Sequence, residues 1–158
     1  MLKYRAENLI PMLRLAAEMR NQMVEANFTD NGGAIHSAER ILNILGVRLK
    51  YPGLSHINNL RFFEGARFSE AAMAAHRRGE RVQIEHVAPL RALTRLVIQE
   101  IDDGATDAEL ELFVRSHFEL ALLTPEERRR LDGINRSKMG PDRLEKAGIN
   151  LITLTAKG

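Results

Sequence analysis

Apolar residues recur at helical spacing along much of the chain. Between about Ile10 and Asn27, Leu13, Ala16, Met19 and Met23 fall three or four apart, with Val24 beside the last, which predicts a helix with a buried face. Pro11 suits the first turn of that helix and would kink it if it began earlier. Thr29-Asp30-Asn31-Gly32-Gly33 reads as a loop. Ser37 is expected to cap a short helix running to Leu45, with Gly46 just past its end. Residues 47–68 carry no clear period, apart from a turn at Pro52-Gly53. Ser69 caps an alanine-rich helix over 70–78, which Gly79 ends.

The period then changes. Val82, Ile84 and Val87 alternate imperfectly along residues 81–87, which predicts a strand ended by Pro89. Leu90, Leu93, Val97 and Ile101 return to helical spacing, and Asp102-Asp103-Gly104 breaks it. Thr106 with Glu109 makes a capping box for a helix through Val114. Residues 119–123 (ELALL) read as a second short strand. Thr124, Pro125 and Glu127 then give cap, first-position proline and third-position carboxylate for a helix that ends at Gly133.

Composition narrows the chemistry. The 158 residues suit a single domain with a real core. There is no Cys, which excludes disulfides, thiolate zinc sites (hence structural zinc held by Cys), iron–sulfur clusters and a Cys nucleophile. No apolar run is long enough for a membrane span, and the N-terminal stretch lacks a signal-peptide core, so a cytoplasmic protein without membrane contact is expected. With no Trp and 5% aromatic residues, a base-stacking platform is poorly supported. The net charge of +2 conceals a pattern. Residues 1–95 and 124–158 are net basic, whereas 96–123 carry seven acidic side chains against one basic. Basic surface is the electrostatic footprint of a polyanion.

The most informative stretch is Glu85-His86-Val87-Ala88-Pro89, a carboxylate and an imidazole at a strand end. Neighbours in an extended strand point to opposite faces, so the two serve one site only where the backbone turns. A metal-dependent phosphodiesterase needs a carboxylate on a hard cation and a base for water, and His has a suitable intrinsic pKa. The plain alternative is a hydrogen-bonded pair that ends a strand.

This stretch resembles the acid-His-aliphatic-x-Pro signature of the HNH (His-Me finger, ββα-metal) endonucleases. Residues 121–124 resemble the family's second strand, and Asn135-Arg136-Ser137-Lys138 its Asn-x-x-Lys segment. The likeness spans roughly residues 82–141. It implies His86 as general base, Glu85 and Asn135 as ligands of a divalent metal (Mg²⁺, or Mn²⁺), and Arg136 or Lys138 on phosphate. Three departures stand out: Glu85 replaces the usual Asp, the last helix offers no His or Asn, and about 30 residues separate the strands.

Arg128 and Arg129, with Arg130, Arg143 and Lys146, could touch nucleic-acid phosphates or line a solvated helix face. Glu127 reads as the capping-box carboxylate, Asn135 equally as a turn residue after a helix end. His76-Arg77-Arg78 reads mainly as a basic helix end, His36-Ser37 as capping chemistry, and His56 and His117 as structural.

The expected fold is α+β and mostly helical. It combines a helical part over 1–80 with an HNH-like core over 81–150, in which a short two-stranded ββα-metal-like unit carries extra N-terminal and inserted helices. The expected function is metal-dependent cleavage of DNA phosphodiester bonds by an HNH-like endonuclease, a hydrolase. The alternative is a nuclease-inactive nucleic-acid-binding or phage-type regulatory module. A homodimer, or a protein partner docked through the acidic segment 96–123, completes the expected partners.

Overall fold

The helical and extended patterns resolve into an α+β chain dominated by helices. The computed structural model describes residues 5–134 and 143–155. In order these are α1 (Ala6–Glu25), α2 (His36–Lys50), a 3₁₀ turn (Ile57–Phe62), β1 (Arg67–Ser69), α3 (Glu70–Arg77), β2 (Gln83–His86), α4 (Leu90–Asp102), α5 (Asp107–His117), β3 (Leu120–Leu123), α6 (Pro125–Asp132), α7 (Arg143–Lys146) and β4 (Leu151–Thr153). Among the described residues no helix is long and apolar enough to cross a membrane.

Contacts divide the chain into two compact units, each built from two stretches of sequence. One joins residues up to Gly53 with Leu90–Phe118, so α4 and α5 group with the N-terminal helices. The other joins Leu54–Pro89 with residues from Glu119 onward, and the step from residue 80 to 81 falls inside it.

In the helical unit α1 packs chiefly on α2, and α2 on α4 and α5. α1 starts at Ala6, earlier than its spacing suggests, so Pro11 lies inside it and leaves one carbonyl of the first turns without its usual donor. Its buried face is Leu9, Ile10, Leu13, Ala16 and Ala17, while Met19 and Val24 are exposed. α2 starts at His36 without a side-chain cap, so Ser37 lies within the helix rather than capping it. The preceding turns supply the entry: Gly33, at φ +96°, lets the chain wind directly into the helix.

Gly46 is likewise not a stop. α2 continues to Lys50, and Gly46 is buried where the ring of Phe118 lies against its backbone. A Cβ there would overlap that ring. Gly46→Ala should therefore destabilise the protein by about 1–3 kcal/mol, although alanine favours a helix by about 1 kcal/mol. Urea unfolding checks the sign, and Gly46→Ala combined with Phe118→Leu should recover part of the loss.

In the other unit the sheet has four strands in the order β2-β3-β1-β4, wider than the two-stranded core expected. β1 and β4 were not legible because each spans three residues, too few for a period. β3 pairs antiparallel with β2 and parallel with β1, and all four of its residues are buried. One face carries Ala121 and Leu123 against Leu131 of α6, with Ala147 and Ile149. Thr124 caps α6 and Glu127 closes the capping box, as its spacing indicates. The Glu127 carboxylate also accepts the Ser69 hydroxyl, and Ser69 accepts the Ala72 N–H at 3.0 Å. The starts of α3 and α6 are thereby tied through one buried carboxylate.

Candidate phosphodiester site on the outer strand

β2 is the outer strand of the described sheet, and α6 packs against it. Its register pairs Glu85 with Ala121 and Gln83 with Leu123. Cross-strand partners share a face, so Glu85 and Gln83 lie on the face that α6 covers. Arg128 of α6 meets them there: its Nε is 2.9 Å from the Glu85 carboxylate, and its NH1 donates to the Gln83 amide oxygen at 3.2 Å. Glu85 is sheltered, with 15% of its side chain exposed, and Arg128 is about half exposed.

His86 pairs with Leu120, whose face is the opposite one. The ladder runs on past it, with Val87 N–H donating to the Glu119 carbonyl at 2.9 Å. The bend comes only at residues 87–88. Glu85 and His86 therefore leave the backbone on opposite faces of β2 and are joined only through the strand end itself. Burial, and then the positive charge of Arg128, lower the His86 imidazole to a pKa of about 4. It is neutral at physiological pH. Its carbonyl accepts from Arg143 at 3.3 Å.

The basic residues part company. Arg143 is buried and donates to the carbonyls of Ile134 and His86, so it is a structural residue and not a phosphate contact. Arg129 and Arg130 are exposed on α6 and line a groove floored by Ala71, Ala74 and Ala75 of α3. Asn135, Arg136 and Lys138 lie outside the described residues. A second pocket, of about 300 Å³, follows residues 81–84 at the start of β2 and is lined by Asn58, Arg61, Arg81, Gln83 and Arg128, among others. Spacing gave no reason to single out Arg61 or Arg81. Arg61 falls in the stretch 47–68 that carries no clear period, and Arg81 merely opens the predicted strand.

The other histidines have structural partners. His56 accepts the Asn58 N–H at 3.2 Å and caps the 3₁₀ turn. His76 packs on the rings of Phe62 and Phe68, and His117 stacks on Phe113 and meets its carbonyl at 2.8 Å. In the acidic segment, Asp102, Asp103, Asp107, Glu109 and Glu119 all accept hydrogen bonds from within their own unit. Much of that charge is spent on holding helices and strands.

A hard divalent cation needs several oxygen donors converging on one point. The described donors do not fit it as placed, because Glu85 already carries a guanidinium at 2.9 Å. Among the described residues no group of three His, Cys, Asp or Glu side chains converges. Compared with known proteins, the chain matches no family model, no curated protein and no solved structure.

Proposed function

We propose that the chain is an HNH-like endonuclease that hydrolyses DNA phosphodiester bonds. One observation carries the reading: β2 and β3 form an antiparallel pair followed at once by α6 on β2, with Glu85-His86 at the end of the first strand. This is the strand-strand-helix order that the Glu85-His86-Val87-Ala88-Pro89 resemblance implies. His86, neutral, takes the proton of the attacking water. Arg128 stabilises the negative charge that builds on the phosphate, while Arg129, in the groove toward α3, would contact the nucleic acid elsewhere. A divalent ion, Mg²⁺ or Mn²⁺, stands as an implication of the resemblance and a variable of the test, since Glu85 is engaged and Asn135 is not described.

The Glu85–Arg128 ion pair favours a second reading, a nuclease-inactive module that grips nucleic acid with the same basic residues. Supercoiled plasmid incubated with the protein separates the two. Nicking that needs Mg²⁺ or Mn²⁺ and stops with EDTA is the expected result. Absence of cleavage with every divalent ion, beside salt-dependent DNA binding, would establish the second reading instead. Absence of both would leave a protein-binding role for the acidic segment.

A further inference from the structure

The pocket beside β2 contains more positive charge than the fold requires. Arg61, Arg81 and Arg128 line it together with the amide side chains of Asn58 and Gln83, and no carboxylate is among its lining residues. Glu85 offsets Arg128 from the sheet face. Neither Arg61 nor Arg81 forms an ion pair among the described residues. Arg61 is nonetheless held in place. Its Nε–H donates to the Asn58 carbonyl at 3.0 Å, and its guanidinium carbon lies 6.0 Å from the centre of the Phe62 ring. Arg81 stands exposed at the entry to β2.

Like charges gathered in a shallow pocket repel one another, and no structural partner here offsets Arg61 and Arg81. A bound anion would do so. The donor set narrows its kind. Planar guanidinium forks recognise phosphate oxygens in pairs, and amide N–H groups complete such a site. A pocket of about 300 Å³ accommodates a phosphodiester with part of its sugar but not a folded peptide. Its lining includes Gln83 and Ile84 of β2, which directly precede Glu85 and His86 in the strand.

We propose that the Arg61–Arg81–Arg128 pocket binds a phosphodiester of the DNA backbone and so sets the register of the duplex along β2. The inference rests on the DNA reading above but not on cleavage. Arg128 is the shared element: a phosphate in the pocket competes with Glu85 for its guanidinium.

The test is fluorescence anisotropy of a labelled 20-base-pair duplex, titrated with the whole protein across a series of salt concentrations. The paired substitution Arg61→Ala with Arg81→Ala should weaken binding at low salt by about tenfold or more, and should reduce the salt slope by roughly 2. The paired Arg→Lys variant should restore most of the slope. Circular dichroism should show both variants folded, since neither arginine supports a buried group. Inorganic phosphate at matched ionic strength should not displace the duplex, which separates a backbone site from one for a free phosphate.

Unchanged affinity and slope in the folded Ala variant overturn the proposal, as does displacement of the duplex by phosphate at matched ionic strength. A protein that never cleaves but loses DNA with these substitutions sinks the nuclease reading and keeps this one. A protein that cleaves normally and keeps its affinity and salt slope after both substitutions does the reverse.

Discussion

Replacement of His86 by alanine should reduce divalent-dependent plasmid nicking by at least about 10²-fold, the lower bound of what a positioned general base contributes. The argument starts from position. His86 is the last residue of β2, ahead of the bend at 87–88, so its ring lies where the strand ends. Burial keeps it neutral, and the nearby charge of Arg128 adds to that effect. A neutral imidazole accepts a proton without first losing one. Its removal takes no charge from the DNA-binding surface, so duplex affinity should stay within about twofold of the wild type. Because the ring is partly buried, His86→Gln serves as a second variant that keeps volume and polarity. It should also lose cleavage while remaining folded. Nicking by either folded variant at the wild-type rate would remove His86 from the reaction.

How far the sequence revealed this site depends on how local each signal is. Capping chemistry acts over three residues, and Ser69, Thr106–Glu109 and Thr124–Glu127 all cap the helices their spacing indicated. Gly46 misled because its reason is distant in sequence: it admits the Phe118 ring, which no local pattern records. Ser37 misled because backbone turns, not a hydroxyl, start α2. β1 and β4 pair through Arg67 with Thr153 and Phe68 with Ile152, contacts between far-separated residues that three-residue strands cannot announce.

The candidate site follows the same rule. Glu85-His86 at a strand end was legible because both are consecutive with the strand that holds them. The Arg128–Glu85 pair was not, because it exists only once α6 packs on β2. The arginine run of α6 likewise looked uniform in sequence. In the fold Arg128 turns onto β2, to Glu85 and Gln83, whereas Arg129 and Arg130 face a different groove toward α3. Helix geometry explains the split, since successive residues lie about 100° apart around the axis.

Asp30→Asn should destabilise the helical unit by about 2–3 kcal/mol. Asp30 was legible only as a loop residue between two helices. In the fold it is buried, and both its oxygens are taken. Arg20 of α1 donates through Nε at 3.0 Å and through NH2 at 2.9 Å, and Arg95 of α4 donates to the second oxygen at 2.9 Å. One carboxylate thus fastens α1 to α4 through the loop between α1 and α2. The hydrogen bonds from Arg20 dominate in lowering its pKa to about 2, with Arg95 adding to them against the opposing effect of burial. The sign of the pH effect follows. A carboxyl whose pKa is lower folded than unfolded contributes stability that is complete above the unfolded value of about 4 and disappears as pH falls toward 2. Asparagine keeps the shape and one acceptor but leaves two guanidinium groups around a neutral amide. Urea midpoints of the two proteins should therefore differ widely at pH 7 and converge as the pH is lowered from 4 to 2. A gap of the same size at pH 3 and pH 7 would assign the loss to packing and not to charge. Since Arg20, Asp30 and Arg95 take no part in the DNA-binding pocket, the folded Asp30→Asn protein should bind the duplex as the wild type does, so its defect is read in stability alone.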